Sequence, residues 1–228
     1  MIEKMEERPE AILLDMDDTI ADVTDSYRQA TISTVAAFGR TATLEDITAA
    51  KAAGDANNDW ELTRDLLAGL GVDAPLGEVT RVFEHFYQGT GDRPGLKLKE
   101  TLLVRPGMLA RWAGVCKLGV VTGRPRTDAE WFLEHHGIRE LFGAVVTMDD
   151  GPLKPDPAPV RMALRNLGVE DGWMLGDTPD DVRAGVAAGI RAIGVIAPAD
   201  DPGVAKKALA AAGAWRVVDR LPDIDGWI

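Results

Sequence analysis

Ala11-Ile12-Leu13-Leu14 is a short apolar run that gives way at once to Asp15-Met16-Asp17-Asp18-Thr19. A run of this length bounded by charge predicts a single buried strand. Strand side chains alternate between faces, so Asp15 and Asp17 are expected to point the same way and to repel each other. A chain tolerates that cost mainly where a cation, a proton or both are to be held. The pattern therefore predicts Asp15 as a nucleophile and Asp17 as a proton donor. A divalent metal is expected between them and a third carboxylate further along.

The rhythm on either side of this turn divides the chain. Residues 1–9 read as a polar lead-in closed by Pro9. After the acidic turn come four predicted helices. The first is capped at Thr24 or Asp25 and runs through Phe38; the second opens at Thr43-Leu44-Glu45-Asp46. The third starts at Asn57-Asn58-Asp59-Trp60, and the fourth at Pro75, with Val79, Val82, Phe83 and Phe86 at helical spacing. Gly89, Gly91 and Pro94-Gly95 read as a hinge. Residues 22–97 are thus expected to form a helical cap domain inserted after the first strand.

From residue 98 onward, predicted strands over 118–121, 144–146, 173–175, 192–196 and 215–218 alternate with helices over 106–113, 126–136, 157–167, 180–188 and 204–212. Such alternation with short connections predicts an α/β fold built by residues 1–21 and 98–228. It is a Rossmann-like, mainly parallel sheet with helices on both faces. Ligands of such sheets collect beyond the carboxyl ends of the strands.

Four strand ends carry chemistry. They offer Asp15 and Asp17; Thr122-Gly123-Arg124; Lys154-Pro155-Asp156-Pro157; and Gly176-Asp177-Thr178-Pro179-Asp180-Asp181. Hard carboxylate oxygens suit Mg²⁺, which keeps several waters and needs few protein ligands. Thr122, backbone N–H groups and Lys154 suit phosphoryl oxygens. An acid-rich turn alone is usually a solvated loop; the four ends together carry the prediction.

Composition sets the limits. The 37 acidic and 25 basic residues leave a formal charge of −12, which disfavours nucleic acid or an anionic membrane as partner. The lone Cys116 allows no internal disulfide and suits a reducing compartment. No apolar run approaches the roughly 20 residues of a membrane span, and the acidic start is unlike a signal peptide. A cytoplasmic protein, monomer or homodimer, is expected. His85, His135 and His136 lack ligand spacing, and no G-x-G-x-x-G is present.

D-M-D-D-T, T-G-R, K-P-D-P and G-D-T-P-D-D, in this order, resemble the four motifs of the haloacid dehalogenase-like (HAD) hydrolase superfamily. The predicted helical insert stands where many members carry a cap, and Gly213-Ala214-Trp215 is similar to the phosphoglycolate-phosphatase-like branch. The resemblance implies an Mg²⁺-dependent phosphatase acting on a small phosphorylated metabolite through an aspartyl phosphate on Asp15. It implies that Asp17 handles the proton and gives its backbone carbonyl to the metal. It further implies that Thr122 and Lys154 hold the phosphoryl group, that Asp177 ligates Mg²⁺, and that Asp181 supports the metal site.

A carboxylate at Asp17 fits an alkoxide leaving group, whereas a halide needs no acid. Gly123, Arg124, Lys51 and Asn58 are candidate substrate contacts; Arg124 equally suits an ion pair. Tyr27, Arg28, Asn57 and Trp60 are further cap candidates, and helix surface or capping explains these, Lys51 and Asn58 as well. Asn57-Asn58-Asp59-Trp60 also resembles a segment of phosphatases of histidine biosynthesis, a hint toward histidinol phosphate. Asp18 departs from the glycine common in the family, so it is expected to face solvent or the cap. A phosphomutase on the same scaffold and a phospho-accepting receiver module are the rival readings.

Overall fold

The computed structural model describes residues 8–54 and 57–228. The lead-in expected over residues 1–9 lies outside the described residues as far as residue 7. In chain order the elements are β1 (Ala11–Leu14), β2 (Ala21–Asp22), α1 (Tyr27–Ala37), α2 (Leu44–Ala53), α3 (Asp59–Gly69) and α4 (Leu76–Tyr87). Next come β3 (Gly89–Thr90), β4 (Arg93–Pro94), β5 (Thr101–Leu102), α5 (Pro106–Ala113), β6 (Lys117–Val121), α6 (Arg126–His135) and β7 (Ala144–Val146). The chain finishes with α7 (Ala158–Leu167), β8 (Trp173–Gly176), α8 (Pro179–Ala188), β9 (Arg191–Val195), α9 (Pro202–Ala211) and β10 (Arg216–Val218).

Six strands make one parallel sheet in the order β10-β9-β8-β1-β6-β7. Every residue of β1 is buried because both faces of the sheet are covered. Ile12 and Leu14 face a layer holding Leu109 and Trp112 of α5 with Phe132 and Leu133 of α6. Ala11 and Leu13 face the other layer, with Val160, Ala163 and Leu164 of α7. The strand order reverses between β1 and β8, and a doubly wound sheet opens its ligand crevice at such a switch point. Asp15 follows β1 and Asp177 follows β8, so both leave the sheet at this crevice.

Helices α1–α4 pack on one another around Val35, Leu67 and Val79, with Ile47 and Leu62 forming a second small cluster. Their base is continuous with the main core, since Tyr27, Ala30, Phe83 and Tyr87 join the cluster of Ile12 and Leu14. Thr43 and Asp46 form a capping box that starts α2, as the spacing predicts. The two connections between helices and sheet pair with each other, β2 antiparallel to β5. Where the sequence suggested a hinge, β3 and β4 form a small antiparallel hairpin. Among the described residues no helix is long and apolar enough to cross a membrane.

Candidate active site

Backbone bonding aims the acidic turn. The Asp15 N–H donates to the Leu175 carbonyl at 2.8 Å, tying the end of β1 to β8. The N–H groups of Ile20 and Ala21 both donate back to the Met16 carbonyl, curling residues 16–21 into a tight loop. Asp15, Asp177 and Asp181 are buried, and each offers a carboxylate oxygen within 4.8 Å of the others. Gly176 makes this approach possible, because a Cβ there would overlap the Asp181 carboxylate. Thr178 and Asp181 form a capping box at the start of α8, which fixes Asp181 in place.

Lys154 is buried at the centre of this cluster. Its Nζ donates to Asp15 Oδ1 and to Asp181 Oδ1, both at 2.5 Å, and to the Val121 carbonyl at 3.0 Å. Burial opposes its charge, yet Asp15 and Asp181 raise its pKa above the ordinary lysine range. For Asp15, burial outweighs Lys154, and with Asp181 and Asp17 adding repulsion its pKa is pushed up to about 7. Asp177 is also pushed well above the usual carboxylate range, first by burial and then by Asp18. The Thr19 hydroxyl donates to Asp177 Oδ1 at 3.3 Å.

Asp17 takes a different partner. Arg124 donates from Nε to Asp17 Oδ1 at 2.7 Å and brings Nη2 to 2.6 Å. Its Nη1 reaches Glu100 Oε2 at 2.9 Å and the Tyr87 hydroxyl at 3.2 Å. The guanidinium lies over the rings of Tyr27 and Phe132, 4.6 and 5.3 Å from their centroids. Among the described residues the carboxylate cluster that suits a metal is Asp15, Asp177 and Asp181; the Asp17 carboxylate is not in it. The Asp17 carboxylate lines the same cavity as Asp15 and Asp177 while paired with Arg124.

Asp18 is buried in contact with the helices and not in solvent. It has φ +54°, the left-handed conformation in which glycine fits without strain. Arg28 of α1 binds it with Nη2 2.7 Å and Nε 3.0 Å from Oδ2, and Nη2 also reaches Asp200 Oδ1 at 3.1 Å. Thr48 of α2 accepts from Arg28 Nη1 at 2.8 Å and donates to Asp200 Oδ1 at 2.9 Å. Lys51 Nζ stands 3.8 Å from Asp18 Oδ2.

A small, partly open cavity of about 20 Å³ is lined by Asp15, Asp17, Asp177, Gly123, Lys51 and Asp59, together with Asn57 and Thr178. Asn57 Nδ2 donates to the Lys154 carbonyl and to Asp180 Oδ2, both at 2.9 Å, and a Cβ on Gly123 would overlap the Asn57 carbonyl oxygen. The structure therefore brings together Asp15, Asp17, Asp177, Gly123 and Lys51, with Lys154 and Asp181 directly behind.

Thr122 is buried, and its hydroxyl accepts from the Arg124 N–H at 3.1 Å. Asn58, expected at the substrate, caps α3 with its side-chain oxygen on the N–H groups of Trp60 and Glu61. Trp60 donates to Glu84 and Tyr27 to Asp128. Arg124 is held in its ion pairs with no exposed face. Sequence reasoning missed Glu100, Asp59 and Asp200. Capping is the alternative the sequence offers for Asn58, since asparagine is a favoured N-cap residue.

A family model for haloacid dehalogenase-like hydrolases matches residues 9–189. An imidazoleglycerol-phosphate dehydratase of Phytophthora nicotianae is 47% identical over 197 residues, covering 83% of this chain and 44% of that protein. The chain thus spans less than half the length of that relative. A phosphoglycolate phosphatase of Photobacterium profundum is 29% identical over 196 residues, 81% of this chain and 82% of that protein. A solved haloacid dehalogenase-like protein of Bacteroides fragilis shares the fold with a TM-score of 0.76 at 19% identity, covering 94% of this chain and 99% of its own.

Proposed function

The chain belongs to the haloacid dehalogenase-like hydrolase family, and from that premise we propose that it is a phosphatase of small phosphate monoesters that works through an aspartyl phosphate on Asp15. The observation that carries the proposal is the convergence of Asp15, Asp17 and Asp177 on one cavity, with Lys154 bonded to Asp15 behind it. The relatives named phosphoglycolate phosphatase are consistent with an ester of this size.

In the first step a carboxylate oxygen of Asp15 bonds to phosphorus and the ester P–O bond breaks. Asp17 gives its proton to the departing alkoxide, so the alcohol leaves neutral. In the second step water attacks the same phosphorus while Asp17 takes back a proton, and phosphate leaves Asp15 as a free carboxylate. Dividing the reaction this way replaces one difficult displacement with two easier ones. A positioned acid–base group contributes about 10²–10⁴-fold. Arg124 holds the Asp17 carboxylate by two nitrogens, which fixes its direction for both transfers. Lys154 offsets the charge of Asp15 as the phosphoryl group approaches.

Buried carboxylates on three sides, all hard oxygen donors, fit Mg²⁺. Asp15 and Asp177 would hold it, with Asp181 behind them and the backbone carbonyl of Asp17 beside them. When bound it supplies the positive charge that lets an anionic ester approach an anionic nucleophile.

Residues 22–97 act in this reading as a cap over the site, excluding bulk water from the reacting atoms. A small phosphorylated metabolite is the expected partner. The test is phosphate release across a panel of metabolite phosphates with and without Mg²⁺. Release with many turnovers that requires the cation supports the proposal. A single phosphorylation without turnover points to a receiver-type module, and transfer to a sugar-phosphate hydroxyl in place of water points to a mutase.

A further inference from the structure

The reaction above leaves one buried acid of the cavity without a task. Asp59 is the first residue of α3 and is only 9% exposed. Asn58 caps the helix ahead of it, and the Thr63 hydroxyl donates to the Asp59 carbonyl at 2.6 Å. With the backbone so fixed, its side chain lines the cavity beside Asp15, Asp17 and Asp177. Its Oδ1 is fully enclosed and has no hydrogen-bond partner among the described residues. An acid in the first turn of a helix ordinarily sits in water, where the helix dipole favours it. Burial removes that water, and an enclosed charge is costly unless a partner arrives.

Lys51 supplies the largest opposite charge near Asp59 but leaves its Oδ1 without a hydrogen bond. Lys51 stands 3.8 Å from Asp18 and also faces Asp59 and Asp177, so one ammonium is shared among three carboxylates. It gives no hydrogen bond to Asp59 Oδ1. The cavity wall carries four carboxylates and the ammonium of Lys51; Lys154 pairs with Asp15 and Arg124 with Asp17, which leaves Lys51 to face Asp59 and Asp177. A metal ion, when bound, would answer Asp15 and Asp177 on the sheet side. Asp59, which belongs to the helices, is met by the shared charge of Lys51 without a hydrogen bond at Oδ1. An ester tail that is itself acidic would meet a carboxylate there, and an apolar tail would leave the acid enclosed and unpaired.

We propose that the substrate is a short-chain phosphate monoester carrying an ammonium or a similar cationic N–H group, received by Asp59 while the phosphoryl group faces Asp15. This rests on the phosphatase reading. It also separates the chain from its relatives named phosphoglycolate phosphatase, whose named ester ends in a carboxylate. The charge of Lys51 favours the ionised form of Asp59 against the burial that opposes it. The closeness of Asp59 to the reacting end limits the tail to a short chain.

The experiment compares three esters of similar length on the whole protein with Mg²⁺: 2-aminoethyl phosphate, 2-hydroxyethyl phosphate and carboxymethyl phosphate. A charge-assisted hydrogen bond predicts that kcat/KM for the amino ester exceeds the other two by about 10–100-fold. In Asp59→Asn that ratio should shrink toward one. Equal rates in the wild type, a preference for the carboxymethyl ester, or a preference that survives Asp59→Asn overturns the assignment. The wild-type ranking decides even if the variant folds poorly.

Calorimetric binding of the same esters to Asp15→Asn separates this inference from its premise. Preferential binding of the amino ester, with no phosphate released from any ester by the wild type, sinks the phosphatase reading and leaves Asp59 its role. Turnover of all three without preference does the reverse.

Discussion

Arg124 Nη2 stands 2.6 Å from Asp17 Oδ1, and the opposite end of the same guanidinium reaches Glu100 at 2.9 Å. One cation, enclosed by the Tyr27 and Phe132 rings, thus joins the Asp17 carboxylate to a fully buried acid beneath the helices. Both rings and Glu100 come from different parts of the chain, so the direction of Asp17 depends on how helices and sheet meet.

Replacing this arginine should therefore affect stability and rate together. Arg124→Met leaves Glu100 buried without its cation, a loss of about 3–5 kcal/mol for a broken buried pair. It also frees Asp17 to turn, which should lower kcat by about tenfold or more while KM changes less. Urea denaturation and steady-state kinetics on the same preparation check both halves. An unchanged kcat in a folded Arg124→Met protein would remove Arg124 from the account of Asp17.

Asp18→Gly puts two effects in opposition. Glycine suits φ +54° and relieves about 1 kcal/mol of backbone strain. The same change takes from Arg28 its closest carboxylate, leaving Asp200 at 3.1 Å as its ion-pair partner. A broken buried pair costs about 3–5 kcal/mol, so the ion pair should win. The urea midpoint is expected to fall, by a net loss of about 2 kcal/mol or more. A neutral or stabilising result would mean that the Asp18–Arg28 pair contributes little.

Gly123→Ala tests how the cap seats on the sheet. An added Cβ would overlap the Asn57 carbonyl oxygen, and that backbone atom cannot move without shifting the loop that bonds Lys154 and Asp180. Misplacement of this order reduces kcat/KM by about 10²-fold, with the sheet and its thermal transition largely preserved. Wild-type kcat/KM in Gly123→Ala would show that the contact at Asn57 is not needed for turnover.

The metal-free protein should lose stability as pH rises. Burial lifts Asp15 to about 7 and Asp59 to about 6, and it raises Asp177 as well. Their folded-state pKa values exceed the unfolded value of 3.8, so the native state binds more protons between the two. The contribution is fully present below about pH 4 and is lost progressively as pH climbs to about 7. Mg²⁺ should flatten this dependence by favouring the ionised acids, and binding should release protons. Melting curves of chelator-treated protein between pH 5 and pH 8, with and without Mg²⁺, give the comparison. The prediction fails if the metal-free protein gains stability over that range through these groups.

Much of this arrangement was legible in the sequence, for a physical reason. The apolar run of β1 had to be buried on both faces, and the spacing of the later strands required a parallel sheet. The strand ends then had to share one rim. Caps were readable too, since Thr43 with Asp46 is a local pattern. What escaped notice is the long-range pairing of charges. Nothing local says that Arg28 returns to Asp18, that Glu100 anchors Arg124, or that Asp200 reaches both α1 and α2. Asn57 and Asn58 are neighbours with different tasks, one at the cavity and one capping α3, and only the capping pattern separates them.

The central claim is that Asp15 carries the phosphoryl group. The most direct measurement is mass spectrometry of the acid-quenched protein after mixing with a turned-over ester and Mg²⁺. A phosphoryl group on the peptide containing Asp15, absent from Asp15→Asn along with all turnover, is the expected result. Sustained turnover by pure Asp15→Asn, or a phosphoryl group on a different residue, would contradict it.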